Sequence, residues 1–140
     1  MSNLDASRFI TVDLEIFSRQ DLKPLVDALS PKLSVSYLGK EFNLNKAYLG
    51  WVWPQFKSPE DGILRICRLV QRLGTAERKL WDSAKSRSFD IGFRSPGKET
   101  YYWSAISSKA IRAAAELNAQ IAITIYGPMK TVKSKKPKPA

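Results

Sequence analysis

Residues 9–39 read FITVDLEIFSRQDLKPLVDALSPKLSVSYLG, and the way the apolar residues recur in this stretch decides the fold. At first they alternate. Ile10, Val12, Leu14 and Ile16 fall on one side of an extended chain and Thr11, Asp13 and Glu15 on the other, the period of a strand with one face on a core. The period then changes. Leu22, Leu25, Val26 and Leu29 recur at helical spacing and predict an amphipathic helix over residues 19–29. Ser18 is its expected N-cap, with Asp21 completing a box-like cap, Pro24 tolerated in the first turns and Pro31 closing it. Leu33, Val35 and Tyr37 restore a strand, which the turn expected at Gly39 ends.

The same order returns near the other end of the chain. Phe89, Ile91 and Phe93 form a strand, residues 95–100 a turn-rich connection, and Tyr101–Trp103 a brief extended segment. Ser107 or Ser108 caps a helix with Ala110, Ile111, Ala114 and Leu117 inward, and Ile121, Ile123 and Ile125 make a strand that Gly127 and Pro128 terminate. Two strand–helix–strand units predict an α+β fold, a mainly antiparallel sheet with helices on one face. This is the ferredoxin-like (split βαβ) arrangement or a duplicated or enlarged variant of it.

Between the units, Phe42 and Leu44 begin a third strand whose alternation slips near Asn45 and Lys46, as at a bulge, and resumes with Leu49, Trp51 and Trp53. After a loop over 54–62, Ile63, Ile66, Val70 and Leu73 line one face of a helix with Gly74 as its C-cap. A short helix over Ala76–Lys85 follows, anchored by Leu80 and Trp81. Residues 1–128 are therefore expected to form one domain, and 129–140 a flexible tail rich in Lys and Pro.

The chain of 140 residues carries a net charge of +10, five of it from Lys130, Lys133, Lys135, Lys136 and Lys138. With no histidine and one cysteine, the sequence holds no Ser-His-Asp or Cys-His pair, no His-ligated metal site and no cysteine cluster for zinc or iron–sulfur. Its glycines form neither a dinucleotide fingerprint nor a P-loop. No cofactor is expected, and Cys67, set in a helical apolar pattern, is expected to be a buried, inert thiol. No apolar run approaches the roughly 18 residues that cross a membrane, and Met1–Ser7 does not read as a signal peptide. Cytoplasmic residence without a membrane partner is the expectation.

Three groups of residues are candidates for function. Asp13, Glu15 and Asp90 lie on the polar sides of their strands. In the split βαβ arrangement those strands are neighbours, so the acids can gather on the open face of the sheet, where like charges raise a pKa or attract a cation. Arg65, Arg68 and Arg72 make a basic ridge opposite a helix's apolar stripe, continued by Arg78, Lys79, Lys85 and Arg87, a surface for phosphates or an acidic protein. Of the aromatics, Trp51 and Phe89 are assigned to the core, and Trp53 and Tyr102 to exposed positions that can anchor a partner. The leading expectation is a non-enzymatic interaction or accessory protein that binds another protein or pairs with itself through a sheet edge. A nucleic-acid-binding accessory protein is the alternative, and a carboxylate-based enzyme the third.

Overall fold

The computed structural model describes residues 8–95 and 101–127, so the expected tail over 129–140 and the turn over 96–100 lie outside the described residues. The first strand, β1 (Phe9–Ser18), alternates as its sequence requires, with Val12, Leu14 and Ile16 fully buried under the helices. Ile10 is the exception. The pairing with the fourth strand slips between Phe9 and Thr11, and this bulge turns Ile10 to the open face beside Thr11. Phe9 takes its place against Phe93, ring centroids 6.1 Å apart.

Helix α1 (Lys23–Leu29) is shorter than its spacing predicts. Ser18 remains in β1, buried, and its hydroxyl accepts the N–H of Gln20, so it caps a turn and not the helix. Asp21 accepts the N–H of Lys23, and Pro24 sits in the first turn, where a missing N–H costs nothing. Strands β2 (Leu33–Glu41) and β3 (Leu44–Trp51) form a hairpin. Gly39 does not end β2. The turn is Phe42–Asn43, both at positive φ (56° and 63°), a two-residue reversal that suits the twist of its strands. Phe42 therefore stands in solvent and begins no strand, and the bulge is in β2, between Val35 and Tyr37. Trp53 lies beyond the end of β3.

Helix α2 (Pro59–Gln71) starts with a full set of N-terminal signals: the Ser58 hydroxyl accepts the N–H of Asp61, Pro59 opens the first turn, and Glu60 and Asp61 follow. Gly74 is not its C-cap but the N-cap of α3 (Thr75–Asp82). Trp81 of α3 is fully buried, and its indole N–H donates to the Leu117 carbonyl at 3.0 Å, just past helix α4 (Ser108–Glu116). Ser107 caps α4 by accepting from Ala110. The helix buries Ala110 and Ala114 and leaves Ile111 half exposed, where its spacing had pointed inward.

Strands β4 (Ser86–Arg94) and β5 (Gln120–Tyr126) complete a five-stranded sheet in the order β2-β3-β1-β4-β5. The first four strands are antiparallel throughout, with β3 inserted between β1 and β2 and β1 between β3 and β4, the split βαβ order. The last unit differs: β5 lies directly beside β4 and parallel to it. The two strand–helix–strand units are thus not copies. One is split by an inserted strand and the other is an ordinary crossover that enlarges the sheet. Among the described residues the four helices cover one face, α2 over β1, with α1 packed on α3 and α2 on α4.

The seat of α2 on β1 depends on Gly62. A Cβ there would meet Val12 Cγ2 at 2.7 Å and Phe56 Cδ2 at 2.8 Å, distances no real packing allows. Gly62→Ala should lower the free energy of unfolding by about 1–3 kcal/mol, although alanine is the better helix former by ~1 kcal/mol. Gly127→Ala, whose Cβ meets nothing within 4 Å, should stay within roughly 0.5 kcal/mol of wild type. Urea titration reads both, and a neutral Gly62→Ala would mean that α2 does not press on β1.

Candidate functional site

On the open face, β1 and β4 bring Asp13 and Asp90 directly opposite each other. Tyr48 of β3 reaches both, its hydroxyl 3.1 Å from Asp13 Oδ2 and 3.0 Å from Asp90 Oδ2. A phenol carries one proton, so it donates to one of the two carboxylates at a time. Asp90 also accepts from the Thr124 hydroxyl at 2.7 Å. The Tyr48 hydroxyl thus sits as a donor shared between the two facing carboxylates. Burial, and then the facing Asp90, push the Asp13 carboxyl above the usual carboxylate range, partly offset by the Tyr48 hydroxyl. Burial and the two acids likewise raise the Tyr48 phenol, which stays protonated. The resulting chain of hydrogen bonds runs across β1, β3, β4 and β5.

Glu15 stands apart from this pair. It faces Lys46, 3.4 Å away, and Lys46 also reaches Glu41 at 2.9 Å, between the rings of Phe17 and Tyr37. Beside the pair, Ile10, Thr11, Gly92 and Tyr126 border a hollow of about 260 Å³. Among the described residues, no three His, Cys, Asp or Glu side chains are grouped so as to hold a metal ion.

The basic ridge divides on inspection of its partners. Arg65 is bound to Asp61 (2.7 Å) and Arg78 to Asp82 (3.1 Å). Arg87 donates to the carbonyls of Asn118, Trp81 and Ala84, an internal clamp with little left for a ligand. Arg78 and Lys79 lie on a separate helix, α3, which packs on α1. Arg68 and Arg72 are exposed and make no ion pair among the described residues. Across a groove of about 280 Å³ between α2 and α4, Lys109 and Arg112 join Arg68, with Glu116 as the one acid at the rim. The sequence signal for these two residues was their i, i+3 spacing on the outer side of a short helix. Cys67 lies at the floor of this groove, buried, and burial pushes its thiol up to about 11, well away from reactivity at neutral pH.

The aromatics also sort differently from expectation. Tyr102 is half-buried, 5.8 Å from the Phe93 ring, while its neighbours Tyr101 and Trp103 are each 76% exposed. Residues 101–107 run without regular structure to α4, and packing on Phe93 selects the middle aromatic as the anchor. Tyr102 and Ile106 share an apolar hollow of about 240 Å³ with Phe93, Ile123 and Ile125. Ile123 and Ile125 are 57% and 60% exposed although they lie on the helical side of the sheet, because β5 is an edge strand and α4 does not cover them. Trp53 is exposed beside Val52 at the far side of the sheet, Trp51 packs on Phe56 at 4.8 Å, and Phe89 is fully buried. Among the described residues, no helix is long and apolar enough to cross a membrane.

The open-face chain makes a prediction about pH. Because folding raises the Asp13 carboxyl above its unfolded value near 4, the stability that its protonated form contributes is complete below that pH. It is lost as pH rises through the higher folded value. Asp13→Asn, which keeps a donor beside Tyr48 without the charge, should match wild type near pH 3.5. It should exceed wild type at pH 7 by ~1 kcal/mol, or about 3 °C in melting temperature. An equal offset at both pH values would mean that folding does not raise the Asp13 carboxyl. Comparison with protein-family models, with curated proteins and with solved structures finds no match for this chain.

Proposed function

We propose that this protein is a non-enzymatic interaction module that binds another polypeptide through the apolar corner formed by β5 and residues 101–107. The observation that carries the reading is the exposure of Ile123 and Ile125 at a hollow lined by Phe93, Tyr102 and Ile106, with Tyr101 and Trp103 exposed on either side of Tyr102 in the chain, where 36 of 140 residues are charged. Exposed aromatics and an apolar depression close together in the chain are common anchors of protein interfaces. Nothing in the hydrophobic effect favours leaving such side chains in water unless something covers them.

The test is site-specific photo-crosslinking in extracts of the cells that make the protein. A benzophenone side chain at Trp103 or Ile125 should give a discrete covalent adduct, identified by mass spectrometry. The same group at Lys40, on the opposite sheet edge, should not. Adducts no different from those at Lys40 would remove the reading.

A second reading has its own support. Arg68, Arg72, Lys109 and Arg112 present four cations on the α2–α4 surface with no ion pair among the described residues, a surface that suits phosphates of a nucleic acid. On this reading labelled DNA or RNA should bind with an affinity that falls at least tenfold between roughly 50 and 200 mM salt. Changing Arg68 and Arg112 together to Ala should weaken it further, as fluorescence anisotropy would read. Binding indifferent to both changes, or none, would leave these cations as a solubilising surface.

A further inference from the structure

The two edges of the sheet are built differently. The β2 edge is broken by a bulge between Val35 and Tyr37, carries Lys40 and Glu41 at its end, and turns the Tyr37 hydroxyl back onto the Lys40 carbonyl at 3.1 Å. These are features that discourage another strand from adding on. Strand β5, Gln-Ile-Ala-Ile-Thr-Ile-Tyr over 120–126, has none of them. It contains no charge, proline or glycine, and it keeps one unbroken register with β4 from Ser88↔Gln120 to Arg94↔Tyr126.

The direction of its backbone groups follows from one bond. The Tyr126 carbonyl accepts the N–H of Ser95 at 2.7 Å, so Tyr126 directs its main chain inward to β4. Along a strand this direction alternates, and Gln120, Ala122 and Thr124 face β4 as well. Ile121, Ile123 and Ile125 therefore direct their N–H and C=O groups outward, and no described residue pairs with them. The residues that offer backbone hydrogen bonds at this edge are the same ones whose side chains stand beside the apolar hollow.

We propose that β5 pairs with β5 of a second copy, antiparallel about a twofold axis through Ile123, to make a continuous ten-stranded sheet. This rests on the reading of the β5 corner as an interaction surface and names its partner. The strand is self-complementary in this register. Ile123 faces its own copy, Ile121 faces Ile125, Ala122 faces Thr124 and Gln120 faces Tyr126, so all seven residues pair. Because the outward-directed residues are 121, 123 and 125, the three isoleucine pairs are the hydrogen-bonded ones, each exchanging two bonds. The six isoleucines come together on the helical side, where the hollow of Phe93, Tyr102 and Ile106 receives them. A slip of one residue would put isoleucine opposite alanine or threonine on the wrong face. The β5 strands themselves bring no charge to the axis, which matters in a chain of net charge +10, whose copies otherwise repel.

Sedimentation velocity on the full chain from roughly 1 to 200 µM tests this, with hydrogen exchange at both ends of the range. The expected result is a shift from 15.8 kDa to twice that mass with rising concentration. Dimerisation should strengthen from about 150 to 500 mM salt as repulsion between copies is screened. The amides of Ile121, Ile123 and Ile125 should be protected in the concentrated sample only. Ile123→Lys sets two ammonium groups face to face on the axis and should weaken dimerisation on the order of 100-fold. Val35→Lys on the opposite edge should leave it unchanged. A chain monomeric at 200 µM in both salts, exchange at these three amides that ignores concentration, or equal loss with Val35→Lys would each overturn the proposal. Should Ile123→Lys fail to fold, the exchange of the wild-type amides decides alone. A monomer that still crosslinks to a different polypeptide from Ile125 overturns self-pairing only. A monomer that gives no adduct overturns the interaction reading as well.

Discussion

The close approach of α2 to β1 at Gly62 is the contact around which the rest of the molecule is arranged. β1 lies at the centre of the sheet, paired on both sides, and its Val12, Leu14 and Ile16 form the floor of the core. Only a residue without a side chain lets the helix axis come down onto Val12 and Phe56. With α2 held there, Ile63, Ile66 and Val70 are sealed against the sheet, each such burial worth roughly 1.5–3 kcal/mol. The position of α2 then sets that of α4, which packs beside it, and so how far the helical layer extends over the sheet. It stops short of the outer half of β5, which leaves Ile123 and Ile125 in water.

The two faces of the sheet are held by different forces. Under the helices the contacts are apolar and non-directional. On the open side, donors and acceptors run from Asp13 through Tyr48 to Asp90 and Thr124, and each link depends on the register of its strand. A slip of any strand by one residue would break the chain and leave a carboxylate without its donor. The open face thus acts as a check on register, its specificity coming from hydrogen bonds that the core could not supply.

Much of this was legible in the sequence wherever a pattern is local. The alternation from Thr11 to Ile16, the apolar stripe of α2 and the isoleucines of β5 placed their elements correctly, and the order of those elements yielded the sheet. What escaped were features set by a neighbour. Ile10 obeys the alternation of its own strand, but its facing is decided by a bulge against β4. Phe42–Asn43 carries no glycine to announce a turn, and the positive φ values there are imposed by the pairing of β2 with β3. Gly74 and Ser18 read as caps of the nearest helix, but Gly74 opens the next helix and Ser18 stays in its strand. In the candidate site, Asp13 and Asp90 could be placed together because their strands were expected to adjoin. Tyr48 and Thr124 could not, since each approaches from a strand whose register no local pattern fixes. Tyr101 and Trp103 were passed over for Tyr102 because three aromatics in a row look alike until Phe93 selects one.

The parallel pairing of β5 with β4 also bears on the order in which the molecule is assembled. By Arg94 every strand of the antiparallel four-stranded unit has been made, and that unit can close on its own hairpin and crossovers. Helix α4 and β5 come afterwards and must fold back across the sheet. Until they do, β4 is an open edge, with Phe89, Ile91 and Phe93 awaiting cover and the Trp81 indole lacking its acceptor at Leu117. The last crossover therefore acts as a late closure, and a nascent chain halted before Leu117 would leave Phe89, Ile91 and Phe93 along an uncovered edge. The sheet thus has two successive open edges, a transient one at β4 that α4 and β5 cover and a lasting one at β5.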